Sequence, residues 1–580
     1  MKLTRTVLLL LSLSCGAAAH ADATSDFRAL LDEHWEWTLA NSPVMASMMG
    51  DRRYNQEWGD NGPDGIEQDH VETLAFLRRA YGIDRSALSA DDQLNYELFR
   101  RQLQDEVDEH QFEGHLIPFD HQGGIQNLDI MASRLSFNAV TDYDDWIVRL
   151  SKIDEVIDQT IALAERGRKK GLVAPAVLMR RMPDQIAVQI VEFAADSPFF
   201  RPFAELPESI PAADRERLRA EATDVIEDTV VPAYRKLDKY FNKKYLPAAR
   251  DTIGLSSLPN GSAWYEHQAR SYTTTRLSPD EIHRIGLDEV KRIRDEMAEV
   301  ISEVEFEGSF QEFLTFLRTD PQFYFDNPDD LYKEYLATSK RLDPELVKLF
   351  GKLPRAPYGV IPIPDSIAPD TTTAYYNRPA ADGSRPGYYF VNLYKPEVRP
   401  KYEIEVLSVH EAVPGHHLQI ALQQELGDVP MFRRFMGFTA FVEGWGLYSE
   451  RLGYDMGLYQ DPYSRFGQLT YDMWRAVRLV VDTGMHYKGW TRQQAIDFFK
   501  DNAAKTEHDI VNEIDRYIAW PGQALAYKIG QLKILQIRSR AEVQLGENFD
   551  IRAFHDELLG AGALPLDLLE QRMDRWMAAQ

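Results

Sequence analysis

The segment that most restricts how this chain can fold is one in which a proline and a glycine interrupt a run of histidines. Residues 408–419 read S-V-H-E-A-V-P-G-H-H-L-Q. Pro414 has no amide proton and clashes with the preceding turn of a helix, and Gly415 loosens the chain further. We therefore expect a helix to kink or bulge at this point, as helices often do at functional sites.

The same segment carries the side chains of a metal site. His410, Glu411, His416 and His417 place three imidazoles and one carboxylate within eight residues. Imidazole is the commonest metal ligand, and a carboxylate beside a bound water can act as a general base, so the set predicts a zinc hydrolase. The alternative is three surface histidines on a capped helix. The clustering with an acid and a helix breaker disfavours that alternative.

The spacing leaves the second zinc ligand open between two histidines. Zinc hydrolases commonly use H-E-x-x-H, in which both histidines point the same way from a helix. Here Pro414 stands where the second histidine of that pattern would be, and the next histidine follows His410 by six residues. A bulge that absorbs two residues would bring His416 to the ion, whereas a straight helix would favour His417. We favour His416.

A later segment supplies the expected third ligand. Residues 438–454 read F-T-A-F-V-E-G-W-G-L-Y-S-E-R-L-G-Y, and Glu443 stands where a helix would normally bury an apolar side chain. A buried carboxylate must pair with a cation or bind a metal. Glu443 is therefore the predicted ligand, and Glu450, two turns further on, is either a supporting residue or the runner-up. The alternative for Glu443 is a salt bridge inside a helix bundle.

The C-terminal part of the chain offers hydrogen-bond donors for catalysis and substrate binding. Donors of these types can stabilise an oxyanion or hold a substrate carboxylate, although each alone is more often a packing residue. The predicted oxyanion donors are His486 and Tyr527. The predicted substrate-binding residues are Arg478, Arg516, Tyr517 and Lys528.

The N-terminus has the features of a secretory signal peptide. Residues 1–21 combine a basic start, a short apolar centre and an A-H-A cleavage site. The apolar run is too short to span a bilayer, and no other segment approaches the required ~20 apolar residues, so we expect no transmembrane segment. Cleavage after Ala21 predicts a periplasmic or secreted protein. Cys15, the only cysteine, could instead carry a lipid, which we rank second because Ser12 stands where a leucine is expected.

Composition and charge limit the possible partners. Apolar residues make up 44% and charged residues 27% of the chain, which are ordinary values for a globular protein. The formal net charge of −26 argues against nucleic-acid binding, which needs a basic footprint. A solvated acidic surface explains this charge without a partner.

Helical patterns dominate the chain. Residues 142–170 and 212–241 are long and amphipathic, and Ser278 with Glu281 forms a capping signature at a helix start. We therefore predict a mainly α fold. Its predicted regions are the signal at 1–21, an N-terminal helical region at 22–250 and a catalytic region at 251–580.

The exception to this helical pattern lies between residues 354 and 396. Short β-prone runs separated by proline, glycine and aspartate predict a small antiparallel sheet next to the metal helix. Such a sheet could hold an extended substrate by strand addition, or its edges could be covered and its role structural. The sequence leaves both alternatives open.

Four motifs together resemble a bacterial family long known only as a domain of unknown function. They are H-E-A-V-P-G-H-H-L-Q from residue 410, V-E-G-W-G-L-Y-S-E from 442, D-T-G-M-H from 482 and A-W-P-G-Q-A-L-A-Y-K-I-G from 519. Members of that family are often secreted proteins or lipoproteins and are regarded as zincin-like. The resemblance implies a helical metallopeptidase scaffold, distantly similar to the angiotensin-converting-enzyme and thermostable-carboxypeptidase type. It implies His410, His416 and Glu443 as zinc ligands and Glu411 as the general base.

These observations lead to one expected function and two alternatives. The expected function is a secreted zinc metallopeptidase that hydrolyses peptides, with Glu411 deprotonating the water. The first alternative is a secreted helical protein that holds a metal without catalysis, and such a site has no need for a base beside His410. The second is a metal-dependent amidase or esterase, which shares the chemistry and differs only in the pocket.

Overall fold

The computed structural model describes residues 23–365, 368, 372–380, 383 and 385–580. The predicted signal segment 1–21, with Cys15, lies outside these residues. The described chain is mainly helical with one small sheet, which confirms the predicted fold class. No helix in the described part of the chain is both long and apolar enough to cross a membrane.

The described residues form two compact units. The first contains the described residues up to Thr252 together with Pro430–Phe432, and the second contains Ile253–Val429 and Arg433–Gln580. The helices before residue 253 are α1 (residues 23–41), α2 (Pro43–Met48), α3 (Pro63–Tyr81), α4 (Ala90–His110), α5 (Val140–Leu150), α6 (Ile153–Lys170), α7 (Ala176–Met179), α8 (Met182–Ala187), α9 (Arg201–Ala204), α10 (Ala212–Val225) and α11 (Val231–Tyr240).

The helices after residue 253 include those that carry the predicted site. They are α12 (Gly261–Thr273), α13 (Pro279–Glu303), α14 (Phe310–Thr319), α15 (Pro328–Leu342), α16 (Leu346–Leu349), α17 (Ile404–Glu411), α18 (His416–Gln424), α19 (Met431–Phe435), α20 (Thr439–Asp455), α21 (Pro462–His486), α22 (Arg492–Asn502), α23 (Glu507–Ala519), α24 (Ala526–Leu545), α25 (Ile551–Leu559) and α26 (Leu566–Ala579).

Helix α21 is the central helix of the second unit. Nearly every residue of its last five turns is buried, which is the pattern of a helix surrounded by other elements. Helix α13 packs along α21, and Gly286 makes the close approach possible, because a Cβ there would lie 2.7 Å from the Cβ of Leu479. Helix α13 begins at the predicted capping box, in which the Ser278 hydroxyl accepts from the Glu281 amide and the Glu281 carboxylate accepts in return.

The sheet is mixed rather than wholly antiparallel. Its strands are β1 (Tyr358–Pro362), β2 (Ala374–Asn377) and β3 (Gly387–Val391), in the order β1-β3-β2. The antiparallel prediction is correct for β2 and β3 but wrong for β1 and β3, which run parallel. The reason is topological: β2 reverses the chain without pairing to β1, and the next reversal inserts β3 between them in the direction of β1.

Candidate metal centre

The helix that carries the histidine motif breaks where the proline predicts. Helix α17 ends at Glu411 and α18 begins at His416. The Gly415 amide donates to the carbonyl of Val409 at 2.9 Å, six residues back instead of the four of a regular helix. The two extra residues of the motif are therefore absorbed in a wide loop, which confirms the predicted interruption.

Close packing makes Gly415 necessary in this loop. A Cβ on Gly415 would overlap the carbonyl oxygen of His410, so no larger residue fits without a backbone shift. The loop contains a cis peptide bond between Val413 and Pro414. The indole N–H of Trp445 on α20 donates to the Pro414 carbonyl at 2.8 Å and connects the loop to that helix.

Three of the predicted ligands come together around this loop. Nε2 of His410 and Nε2 of His416 lie 3.8 Å and 3.5 Å from Oε2 of Glu443. One ligand atom from each of the three residues lies within 4.8 Å of the other two, and no other such group of histidine, cysteine or acidic residues was found in the described part of the chain. The side chains of His410 and Glu443 are 4% and 19% exposed, so the group is nearly enclosed but remains accessible.

Glu450 orients His410 from the side opposite this group. Nδ1 of His410 lies 2.8 Å from Oε1 of Glu450, which is fully buried. Because a carboxylate accepts, the proton of His410 stays on Nδ1 and Nε2 faces Glu443 and His416. The Arg475 guanidinium lies 3.5 Å from the same Glu450 oxygen and balances its charge. A carboxylate behind a histidine is the usual support of a metal ligand, so Glu450 fits the supporting role better than the runner-up role.

Neighbouring charges shift the pKa values of His410 and Glu443 in opposite directions. Burial by itself lowers the pKa of His410, but the Glu443 and Glu450 carboxylates outweigh it and raise the pKa to about 9. Burial alone would raise the pKa of Glu443, yet His410 and His416 bring it well below its usual range. Two imidazoles and a carboxylate that converge are the donor types that suit zinc, so these residues fit the expected ion.

Two glycines of α20 make room for the site. A Cβ on Gly446 would lie 2.7 Å from Cε1 of His410, so the imidazole packs directly on the helix backbone. A Cβ on Gly444 would lie 2.6 Å from Cα of Gly530 on α24, which shows how closely the two helices cross. Glu443 precedes Gly444 in the chain, so the packing of α20 on α24 fixes where the Glu443 side chain lies. No sequence motif predicted a role for these glycines or for Trp445, although the G-W-G that follows Glu443 is a signal of close packing.

His417 points away from this group into the sheet region. Nε2 of His417 donates to the carbonyl of Ala356 at 3.0 Å, and Nδ1 accepts from the Tyr376 hydroxyl at 2.8 Å. Burial lowers the pKa of His417 to about 4, so the ring is neutral and both nitrogens have partners. His417 therefore has no nitrogen left for an ion. Gly387 on β3 leaves space for this contact, since a Cβ there would lie 2.9 Å from Nδ1 of His417.

The carboxylate of Glu411 has no fixed partner. It forms no hydrogen bond and no ion pair with any residue that the structure describes, although its charge contributes to raising the pKa of His410. Glu411 is the last residue of α17, one position after His410. A half-buried carboxylate next to the ligands and not engaged elsewhere can accept a proton.

A second group of the predicted residues lies around Arg478. Nε of Arg478 donates to the Tyr517 hydroxyl at 2.8 Å, and Nη2 donates to Glu513 at 3.1 Å. Arg516 binds the same Glu513 carboxylate at 3.1 Å. The Tyr527 ring covers the Arg478 guanidinium at 4.3 Å. Burial raises the pKa of the Tyr527 hydroxyl most, and the charge of the Glu443 carboxylate is the next largest cause. Tyr527 therefore contacts Arg478 and is close enough to Glu443 for the carboxylate charge to act on its hydroxyl.

Lys528, a predicted substrate-binding residue, is fully buried. Its ammonium group donates to Asp472 and Gln531 and pairs with Glu289, so it has no proton left for a substrate. The prediction that Lys528 binds substrate is not supported.

His486 is also fully buried and joins the end of α21 to two backbone segments. Nδ1 of His486 accepts from the Leu255 amide at 3.0 Å, and Nε2 donates to the Tyr517 carbonyl at 2.9 Å. With both nitrogens engaged, His486 has no donor for an oxyanion, so Tyr527 alone remains a candidate for that role.

Comparison with known proteins gives a family and a fold. The sequence profile of the family "Bacterial protein of unknown function (DUF885)" matches residues 43–573. A crystal structure of a candidate lipoprotein from Colwellia psychrerythraea is 28% identical, has a TM-score of 0.89, and aligns over 97% of this chain and 100% of that one. A candidate lipoprotein of unknown function from Shewanella oneidensis is 17% identical, with a TM-score of 0.70 over 95% of this chain and 99% of that one. Among curated proteins, none matches the sequence.

Proposed function

We propose that this chain, which belongs to the DUF885 family of bacterial proteins, is a zinc-dependent hydrolase of peptide bonds. The observation that carries the proposal is the convergence of His410, His416 and Glu443 beside the unpartnered carboxylate of Glu411. Three protein ligands with nitrogen and oxygen donors leave a fourth position open, which distinguishes catalytic from structural zinc.

Each residue of the site has a definite part in this reaction. Zinc held by the three ligands would acidify water and polarise the scissile carbonyl. Glu411 accepts a proton from the attacking water on its free carboxylate oxygen and later delivers it to the leaving amine. Glu450 holds the proton of His410 on Nδ1 and so keeps Nε2 available. The Tyr527 hydroxyl donates to the oxygen on which negative charge develops.

The sheet supports a peptide as the substrate. Strand β2 is an edge strand, and its Tyr376 donates to His417, the residue next to His416. An extended peptide can pair with such an edge and lie close to the ligands. The other edge is less accessible, since the Tyr332 hydroxyl of α15 donates to the Val360 carbonyl of β1.

Replacing Glu411 with glutamine tests the proposal. We expect Glu411→Gln to retain stoichiometric zinc and the fold but to lose roughly 10²–10⁴-fold in hydrolysis of a peptide library, because an amide cannot accept the proton. Zinc is measured by elemental analysis and hydrolysis by mass spectrometry. Glu307→Gln removes one exposed carboxylate elsewhere and serves as the control. Unchanged hydrolysis in zinc-loaded Glu411→Gln would contradict the proposal.

The same experiment separates the alternatives. A protein that only holds a metal binds zinc but cleaves no member of the peptide library, and Glu411→Gln changes nothing. An amidase or esterase cleaves small amide or ester substrates in preference to peptides. The free carboxylate of Glu411 favours catalysis over passive metal binding, because a site that only holds a metal does not need an unpaired acid next to His410.

We also infer that the chain is exported. The signal features of residues 1–21 support this, and so does the relative from Colwellia psychrerythraea, a candidate lipoprotein. That relative gives weight to lipid attachment at Cys15. Labelling cells with a radioactive fatty acid distinguishes the two routes, because Cys15→Ser abolishes labelling only if Cys15 carries the lipid. Retention of the unprocessed chain in the cytoplasm would contradict export.

A further inference from the structure

One nitrogen of a buried guanidinium in the second unit has no partner. Arg478 on α21 is 4% exposed, and its Nη1 is buried without a hydrogen bond to any described residue. Nε and Nη2 of Arg478 are bound by Tyr517 and Glu513. An unsatisfied N–H of a charged group is costly when it is buried, so Nη1 is available to a hydrogen-bond acceptor from outside the protein.

The charge around Arg478 is also incomplete. Two guanidiniums, Arg478 and Arg516, share the single carboxylate of Glu513, and no other acid pairs with either of them in the part of the chain that the structure describes. Asp482 lies in the neighbourhood, but its carboxylate is bound by the Tyr265 hydroxyl and the Gly522 amide. The group therefore carries one positive charge in excess, and an anion is the ligand that would balance it.

A chain of side-chain contacts connects this group to the candidate metal centre. Arg478 and Arg475 both pack on the Trp474 ring at 4.9 Å, and Arg475 lies 3.5 Å from Glu450, which accepts from His410. The Tyr527 ring also covers Arg478, and burial together with the Glu443 charge raises the pKa of the Tyr527 hydroxyl. Because the chain of contacts ends at His410, Arg478 belongs to the surroundings of the same site.

Arg475 provides an internal comparison. It also has a buried nitrogen without a hydrogen bond, Nε, and it is the only arginine paired with Glu450 among the described residues. Glu450 also accepts from His410, but His410 faces a second carboxylate, Glu443. Two acids therefore stand opposite Arg475 and His410, and this side of the site gives no reason to expect an anion. The excess charge belongs specifically to Arg478 and Arg516.

We propose that Arg478 binds a carboxylate of the peptide substrate and so restricts the enzyme to peptides that carry one near the scissile bond. The planar guanidinium matches a carboxylate, and its pre-set orientation by Tyr517 and Glu513 fixes the direction of the bond. The carboxylate is either the free C-terminal group or the side chain of aspartate or glutamate. This inference rests on the proposed peptide hydrolysis and names its substrate class.

The first test needs only the wild-type protein. Zinc-loaded enzyme is given one peptide series as free acids, as C-terminal amides, and with Asp or Glu exchanged for Asn or Gln. We expect a carboxylate-bearing peptide to exceed its neutral partner at least ~10-fold in kcat/KM, since a charge-assisted hydrogen bond to a dry site is worth that much. Preference for the acid over the amide identifies the C-terminal group, and preference for Asp or Glu identifies a side chain. Equal rates for all forms would overturn the inference while leaving the proposed function intact, whereas no cleavage of any peptide would overturn the function itself.

Binding provides a readout besides activity. Glu411→Gln loaded with zinc should bind the preferred carboxylate peptide more tightly than its neutral partner in a calorimetric titration. Adding Arg478→Met should abolish this difference in affinity, and Arg478→Lys should restore part of it because the positive charge returns.

A matched control separates substrate recognition from general structure. Arg492→Met removes another partly buried arginine of the second unit, which pairs with Asp515 at 2.6 Å and has no part in the site. We expect Arg492→Met to keep the preference for carboxylate peptides and Arg478→Met to lose it through a higher KM. If both variants lower the rates for acid and neutral peptides equally, Arg478 is structural and the inference is wrong.

Discussion

Adjacent histidines in the motif have different partners, and this difference can be tested residue by residue. Nε2 of His416 faces Glu443 at 3.5 Å, whereas both nitrogens of His417 are bound by Ala356 and Tyr376. We therefore expect His416→Ala to lower zinc affinity by orders of magnitude and His417→Ala to lower it much less. Competition with a chelator measures both. Near-normal zinc affinity in His416→Ala together with a loss in His417→Ala would reverse the assignment.

A second prediction at the same scale concerns the residue behind His410. Glu450 accepts a hydrogen bond from Nδ1 of His410 at 2.8 Å and fixes the direction of the ring. Loss of such a supporting carboxylate typically costs 10–100-fold in metal affinity. We expect Glu450→Gln to weaken zinc binding by about this factor without abolishing it, as measured by the same competition. Complete loss of zinc would instead make Glu450 a ligand.

At the scale of elements, the site depends on how closely α20 and α24 cross. A Cβ on Gly530 would overlap the carbonyl oxygen of Ala440 on α20. Gly530→Ala should push the helices apart, at a cost of about 1–3 kcal/mol for overpacking, and carry Glu443 away from the histidines. We expect both a lower melting temperature and weaker zinc binding. Gly427→Ala is the control, because a Cβ at Gly427 has no atom within 4 Å. Weakened zinc binding with unchanged melting would contradict this explanation.

At the scale of the whole molecule, a buried histidine makes stability depend on pH. His555 donates to the Leu349 carbonyl and accepts from the Tyr448 hydroxyl, both at 2.8 Å, so it joins α25 to α16 and α20. Burial lowers the pKa of His555 to about 3, whereas an unfolded chain has the ordinary value of about 6.5. As pH falls below 6.5 the unfolded chain takes up the proton first. The contribution of neutral His555 is therefore complete above pH 6.5 and decreases toward pH 3.

The measurement is the free energy of unfolding in urea at several pH values between 7 and 5. We expect His555→Gln to reduce the slope of this free energy with pH by up to ~1.4 kcal/mol per pH unit, whatever its effect on stability at pH 7. His508, which is exposed, supplies the control variant His508→Gln. A wild-type slope retained in His555→Gln would mean that other groups cause the pH dependence.

Local rules explain the parts of the fold and of the site that the sequence predicted. Proline at 414 excludes a regular helix whatever surrounds it, and the capping box at Ser278 forms within one turn. The structure also brings His410, His416 and Glu443 together, and their role as zinc ligands stays a prediction. The helix break and the cap could be predicted because the interactions behind them span only a few residues.

Tertiary structure decided the rest, because the same side chain can serve a site or a core depending on partners far away in sequence. His486 and Lys528 were plausible donors until the fold placed Leu255, Tyr517 and Asp472 against them. The direction of β1 relative to β3 followed from the path of the chain between them. Arg478 and Arg475 each face one carboxylate, but the fold makes Arg478 share Glu513 with a second arginine, Arg516. By itself the sequence determined which chemistry was present and where the helix had to break, whereas the packing of distant elements determined which polar groups were satisfied internally and which remained free to act.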